Sequence, residues 1–274
     1  MKTIILCGGI GTRMKEETEF KPKPLVLVGG KPILWHIMKI YAHYGFNEFI
    51  LALGYKGDMI KQYFLNWRSL ANDFTLDTHN HEVTFHNNDC DHFKITFAET
   101  GPESLTGERV RRLRPYLDGD EEFMVTYGDG VGDINIQDLL NFHKNQNTLG
   151  TITGIKLTSR FGMLDIDHQT KKLRGFFQHK VTDYNEVRSG DSDYVNGGFM
   201  IFKKDIFDLL TENSMIESIF APLARAGQLS IYAHQGKWKC MDTYKEVEDM
   251  NELWHKDPFW KVWHETKTNP LCRI

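Results

Sequence analysis

The stretch formed by residues 2–24 constrains this chain more than any other. It opens with the apolar, β-branched run Thr3-Ile4-Ile5-Leu6 and passes directly into Cys7-Gly8-Gly9-Ile10-Gly11-Thr12-Arg13. A short buried strand that ends in clustered glycines is how a parallel strand hands over to a turn whose N–H groups face an anion. Only a backbone without Cβ bends this tightly and lets its N–H groups approach anionic oxygens. Thr12 adds a hydroxyl donor, and Arg13 adds a planar fork of donors matched to phosphate. Lys21-Pro22-Lys23-Pro24 follows. Its prolines predict an extended, stiffened segment that is not helical and that carries Lys23 as a second cation for the same anion. Two commoner glycine motifs are excluded by spacing. A dinucleotide fingerprint needs glycine where Met14 stands, and a Walker loop needs Gly-Lys-Ser/Thr, which is absent. A tight turn without chemistry is the alternative, and the paired lysines speak against it.

With 274 residues, the chain is one large domain or one domain with an embedded subdomain. A hydrophobic content of 41% and a charged content of 26% suit a globule with a sizeable core. The net charge of −4 argues against a nucleic-acid binder, which would carry a basic face. Cys7, Cys90, Cys240 and Cys272 form no Cys-x-x-Cys pair and fit reduced thiols rather than a disulfide frame. No apolar stretch reaches membrane-spanning length, and Met1-Lys2 leads straight into the first strand. The expectation is a cytoplasmic protein without a membrane partner.

Residues 33–44 carry apolar side chains at helical spacing, with Pro32 in the first turn and Gly45 as the stop. Residues 49–53 read as a second buried strand, and Asp58 as the cap of a short helix through Phe64. Strand, helix, strand, helix is the pattern of a parallel sheet covered on both faces. Residues 67–94 turn polar and His- and Asn-rich, with strands expected at 83–86 and 94–98. His79, His81, His86 and His92 have no cysteine or carboxylate cluster to complete a metal site, so an exposed insertion or subunit contact is expected. A helix is expected from Thr106 through Leu113, with Arg111, Arg112 and Arg114 on a solvated face.

The buried strand over 123–127 ends in Gly128-Asp129-Gly130. A carboxylate framed by glycines at the carboxyl end of a parallel strand faces the ligand crevice of an open α/β sheet. A turn-forming aspartate is the alternative. Asp133 is expected to cap a helix over 135–146. Strands follow at 150–157, 195–202 and 229–233, with a paired excursion at 161–166 and 173–178. Asp205 begins a short helix and 215–226 forms another. Asp242 either caps the final helix or supplies a site carboxylate. The aromatic tail Phe259, Trp260 and Trp263 packs on the body or on another subunit.

Gly8-Gly9-Ile10-Gly11-Thr12-Arg13 followed by Lys21-Pro22-Lys23-Pro24 resembles the signature of the sugar-1-phosphate nucleotidyltransferases. Gly29-Gly30-Lys31-Pro32-Ile33-Leu34-Trp35-His36-Ile37-Met38 resembles the glucose-1-phosphate cytidylyltransferase branch of that family. The resemblance implies an α/β, Rossmann-like, mostly parallel mixed sheet with helices on both faces (the nucleotide-diphospho-sugar transferase type) and small β excursions. It implies a single domain over 1–264 with an insertion at 67–94, an acceptor-side excursion at 158–195 and a C-terminal tail at 265–274. The implied reaction moves a cytidylyl group from CTP to glucose-1-phosphate, for CDP-sugar and surface-polysaccharide synthesis. Such transfer demands positioning and charge stabilisation, and the acceptor phosphate needs no general base because it is already ionised.

By the same resemblance, Arg13, Lys23 and Asp129 are catalytic, and Asp129 with Asp242 holds Mg²⁺. Leu6, Gly8, Gly9, Gly11, Thr12, Arg13, Lys23, Thr106, Arg109 and Gly128 bind the nucleotide, while His179, Lys180, Asn196 and Gly197 bind the acceptor. A homo-oligomer, a hexamer, is implied as well. Two departures from the family pattern stand out. Glu108 occupies the second glycine of a Thr-Gly-Gly-Arg run, and Phe177-Gln178-His179-Lys180-Val181 stands where the family carries Glu-Lys-Pro. Histidine donates as well as accepts, so a CTP-dependent enzyme for a different acceptor, non-sugar or more acidic, is the alternative. A nucleotide-sensing domain on the same fold is a further alternative, opposed by the presence of Arg13, Lys23, Asp129 and Asp242.

Overall fold

The computed structural model describes residues 1–11, 14, 18–87, 91–156, 163–166, 173–177 and 194–264. In chain order its strands are β1 (Thr3–Leu6), β2 (Leu27–Val28), β3 (Lys31–Pro32), β4 (Glu48–Leu53), β5 (Phe74–Asp77), β6 (Glu82–Phe85) and β7 (Lys94–Glu99). These continue with β8 (Glu122–Tyr127), β9 (Gly130–Gly132), β10 (Gly150–Lys156), β11 (Met163–Ile166), β12 (Leu173–Phe177), β13 (Tyr194–Lys203), β14 (Leu229–His234) and β15 (Trp238–Cys240). The helices are α1 (Ile33–His43), α2 (Gly57–Leu65), α3 (Trp67–Ala71), α4 (Thr106–Arg112), α5 (Ile136–Gln146), α6 (Phe220–Arg225) and α7 (Tyr244–Lys256).

Seven strands form the main sheet in the order β14-β10-β13-β8-β1-β4-β7. Four neighbouring pairs in it are parallel, and β13 runs antiparallel to both β10 and β8. This is the mixed, mostly parallel α/β sheet that the sequence leads one to expect. β1 sits near its middle, with Ile4 and Ile5 fully buried. Period-two alternation sends Ile5 and Cys7 to one face and Ile4 and Leu6 to the other. The first face is covered by α1 through Ile33, Leu34, Ile37 and Met38. The second is covered by Val110, Leu113, Phe207 and Ile216, from α4 and the turns that follow it. In register, Leu6 of β1 lies beside Tyr127 of β8. The glycine loop and Gly128-Asp129 therefore leave the sheet side by side, at the end where open α/β sheets bind ligands.

Several local expectations are corrected. Residues 23–25 form one 3₁₀ turn after an extended Pro22 (φ −67°, ψ 146°), because proline is tolerated in a first helical turn. Asp58 lies inside the first turn of α2, whose N-cap is Lys56 in the left-handed region. α5 is capped by Asn135, whose side chain accepts from the N–H groups of Gln137 and Asp138, while Asp133 pairs with His234 at 2.7 Å. The stretch 215–226 splits into a 3₁₀ turn (Ile216–Ile219) and α6, since Pro222 is admissible only near a helix start. Asp205 likewise lies inside a 3₁₀ turn (Lys204–Asp208) and begins no helix. Residues 67–85 hold α3 as well as the β5–β6 hairpin, because Trp67 packs on Tyr63, Phe64 and Phe93.

The aromatic tail folds onto its own chain. Trp260 is fully buried against His36 and Trp254, and Trp263 meets Trp35 edge-on at 5.5 Å. Trp260 and Trp263 thus pack on the body, while Phe259 stays half-exposed. No described helix is long and apolar enough to cross a membrane.

Candidate active site

A cleft of about 290 Å³ opens at the carboxyl ends of β1 and β8. Leu6, Gly8, Gly9, Gly11, Lys23, Thr106, Arg109, Gly128 and Asp129 all line it. Thr12, Arg13, His179 and Lys180 lie outside the described residues. Two glycines are required by close approach. A Cβ on Gly8 would stand 2.1 Å from Arg109 Nη1, and one on Gly128 would stand 2.8 Å from the Leu6 carbonyl oxygen. Cys7, beneath the loop, is fully buried and its thiol is pushed up well above the usual range, so it is no nucleophile.

The charged centre of the cleft is Lys23. Its ammonium donates to Asp129 Oδ2 at 2.6 Å and to Asp242 Oδ1 at 2.7 Å. Burial opposes the charge on Lys23, but Asp129 and then Asp242 outweigh that and hold its pKa above the ordinary lysine value. A small ladder brings the two carboxylates together. β15 pairs antiparallel with β9, setting Cys240 opposite Gly130, and Met241 N–H donates to the Asp129 carbonyl. Thr243 then caps α7 in a capping box, and Glu246 Oε2 accepts from the N–H groups of Asp242 (2.8 Å) and Thr243 (2.9 Å). Among the described residues no group of three or more His, Cys, Asp or Glu converges. Two carboxylates aimed at one cation nonetheless suit a hard, oxygen-seeking ion that keeps waters and takes few protein ligands.

Arg109 is only 3% exposed. It donates to the carbonyls of Leu53, Gly101, Gly8 and Pro102 and to Thr100 Oγ1, and so clasps the glycine loop from behind. Glu108, the departure from the family run, is buried and accepts from Arg111 and Arg112. Those arginines lie on the partly solvated face expected of them while bonding to Glu108. Asn196 and Gly197 do not line this cleft; Asn196 Oδ1 accepts from Gly198 N–H at 2.9 Å, and the Gly197 carbonyl accepts from Trp238 Nε1 at 2.8 Å. Sequence reasoning missed the bond from Tyr127 to Glu217. Nothing in the stretch Met215-Ile216-Glu217-Ser218 marks it, because the partner is 90 residues away.

The family model for "Nucleotidyl transferase" matches residues 2–257. A Bacillus subtilis protein named probable glucose-1-phosphate cytidylyltransferase is 44% identical over 267 residues, covering 96% of this chain and 100% of its own length. The glucose-1-phosphate cytidylyltransferase of Salmonella typhi is 39% identical over 266 residues, with 96% and 100% covered. The solved structure of HddC from Yersinia pseudotuberculosis superimposes with a TM-score of 0.64 at 22% identity, covering 92% of this chain and 99% of that one. The family match over residues 2–257 and the 39–44% identity to relatives covered along their whole length agree: the chain belongs to the nucleotidyl transferase family.

Proposed function

We propose that the chain transfers the cytidylyl group of CTP to glucose-1-phosphate, giving CDP-glucose and pyrophosphate. The observation that carries this reading is 38–44% identity over nearly the full chain to relatives bearing that activity in their names. The ammonium of Lys23 between Asp129 and Asp242, at the mouth of the glycine loop, supports it. Leu6, Gly8, Gly9, Gly11, Thr12, Thr106, Arg109 and Gly128 form the nucleotide side, with loop N–H groups turned to the triphosphate. Arg13 and Lys23 meet the charge that develops on the phosphates as the acceptor oxygen attacks in line. Asp129 and Asp242 would hold Mg²⁺, which when bound neutralises phosphate charge. Lys180 lets the anionic acceptor approach, and His179, Asn196 and Gly197 read its remainder.

A second reading keeps CTP and changes the acceptor; His179 in place of a carboxylate favours it. We propose further that residues 1–264 act as one domain in a cytoplasmic homo-oligomer. Support for assembly comes from the exposed Phe74, Leu76 and Val83 of the β5–β6 hairpin, and the hexamer rests on the resemblance alone. The test is pyrophosphate release with four nucleoside triphosphates crossed against phosphorylated acceptors. CTP with glucose-1-phosphate should give the highest kcat/KM. A higher value for CTP with another acceptor selects the second reading, and a preference for another nucleotide overturns both.

A further inference from the structure

We infer that Glu217 is a positioning residue that fixes Tyr127, and through it the amide of Asn196, where the nucleotide cleft meets the proposed acceptor residues. The inference rests on the proposed reading of that cleft. Tyr127 closes β8 immediately before Gly128-Asp129 and lines the cleft. Its hydroxyl donates to Glu217 Oε1, and its oxygen lies 3.4 Å from Asn196 Nδ2, which donates to it. The second oxygen of Glu217 accepts from Thr106 Oγ1 at 3.3 Å, and that hydroxyl accepts in turn from Ile216 N–H at 2.9 Å. Thr106 and Tyr127, from segments far apart in sequence, therefore meet at one carboxylate, and Asn196 joins them through the Tyr127 hydroxyl.

The carboxylate is held firmly enough to act as a reference point. Gly107 of α4 lies so close to the 214–215 backbone that a Cβ there would stand 2.8 Å from the Ser214 and Met215 carbonyl oxygens. Glu108 N–H donates to the Ser214 carbonyl at 3.0 Å. On the far side, Gly198 (φ +83°) makes room for the ring, since a Cβ there would stand 2.5 Å from Tyr127 Cδ2. With its proton committed to Glu217, the phenol oxygen turns a lone pair to Asn196 Nδ2. Gly198 N–H holds the other end of the same amide. The plane of the Asn196 amide is thus set from both ends.

A glutamine at 217 keeps the shape but can accept on only one of its two terminal atoms, and it turns an NH₂ toward a second donor. The test is the KM-against-kcat split for Glu217→Gln, Tyr127→Phe and the double variant, alongside calorimetric binding of CTP and of glucose-1-phosphate. Glu217→Gln should raise the acceptor constants about tenfold, the scale of one lost hydrogen bond. CTP binding should change less than threefold, because Thr106 keeps its bond to Ile216 N–H. Tyr127→Phe should give the same split, and adding Glu217→Gln to it should cost nothing more, since the glutamate acts through the phenol. Unchanged acceptor constants in a variant that still binds CTP overturn the inference, as do fully multiplicative effects in the double variant. Absence of CTP binding by the wild-type protein overturns the proposed function, and this inference with it.

Discussion

Replacing Lys23 with methionine should let Asp129 and Asp242 take up a divalent cation without nucleotide. In the structure the Lys23 ammonium already bridges them at 2.6 and 2.7 Å and is only 12% exposed. Any cation shared by the same two oxygens must first displace it. Two charge-assisted hydrogen bonds are worth about 1.5 kcal/mol each at the lower end of their range, which suits a pair whose Asp242 member is 35% exposed. Displacement therefore costs about 3 kcal/mol, or roughly a hundredfold in cation affinity. A bound triphosphate offsets that cost by offering Lys23 another anion. Manganese, which shares the oxygen preference of magnesium, serves as a spin probe. Titration of free Mn²⁺ by electron paramagnetic resonance should show weak uptake by the wild-type protein alone and tighter uptake with CTP. Lys23→Met should show tight uptake alone, and this should vanish when Asp129→Asn is added. Equal Mn²⁺ affinity for wild type and Lys23→Met would refute the reasoning about the lysine. Tight uptake that survives Asp129→Asn would instead refute the assignment of the carboxylates.

Two further outcomes concern stability. The His36 ring is fully buried, with Nε2 at 2.8 Å from the Val28 carbonyl and Nδ1 accepting from Trp260, and burial pushes its pKa from 6.5 down to about 4. Between those values the unfolded chain binds the proton and the folded chain does not. Stability should therefore fall as pH drops from about 6.5 toward 4, by about 3 kcal/mol at the lower end. Urea unfolding at pH 7 and pH 4.5 should show that drop in the wild-type protein and a clearly smaller one in His36→Gln, and equal drops would exclude His36 as the source. Glu108→Ala removes the acceptor of Arg111 Nε (2.7 Å) and Arg112 Nε (2.6 Å), and should lower stability at pH 7 by about 2 kcal/mol because both arginines are partly solvated. Those arginine bonds hold the Glu108 carboxyl down to about 2, so the wild-type advantage should persist above pH 4.5 and disappear as pH falls through 2. An unfolding midpoint unaffected at pH 7 would show the cluster to be idle.

The strands legible in the sequence are those buried on both faces. Ile4 and Ile5, or Phe49 through Leu53, face packed cores wherever they point, so continuous apolar runs betray them. β9 and β15 escaped because Gly130-Val131-Gly132 and Trp238-Lys239-Cys240 have no period of their own; each is a strand only because the other is there. The same holds for α3, a five-residue helix fixed by the packing of Trp67 rather than by propensity. In the site, glycines announced where the backbone bends, and the family signature assigned Lys23 and Asp129. Arg109 shows the limit of that signal. Its place in the Thr-Gly-Glu-Arg run marks it for the nucleotide, yet the run does not reveal that four carbonyls and a hydroxyl already claim its guanidinium.

Asp242 is the residue on which local and global signals competed. An aspartate just before an amphipathic helix has the composition of an N-cap, and on sequence alone that role explains it. The structure separates the two roles by one position. Thr243 takes the cap and Glu246 closes the box, so the helix needs nothing from the Asp242 carboxylate. Glu246 also binds the Asp242 N–H, which pins the backbone just outside the helix. The β9–β15 ladder then fixes where that pinned residue lies relative to Asp129. A carboxylate excused from capping and held beside a second one is placed to bind a cation, and the Lys23 ammonium reaches it across 219 residues of chain. Moving the cap by one residue, as Thr243→Ala with Asp242 left to cap, would draw that carboxylate into the helix and out of the cleft. Local helix chemistry is thus the means by which the last strand and helix deliver the second acid to the site.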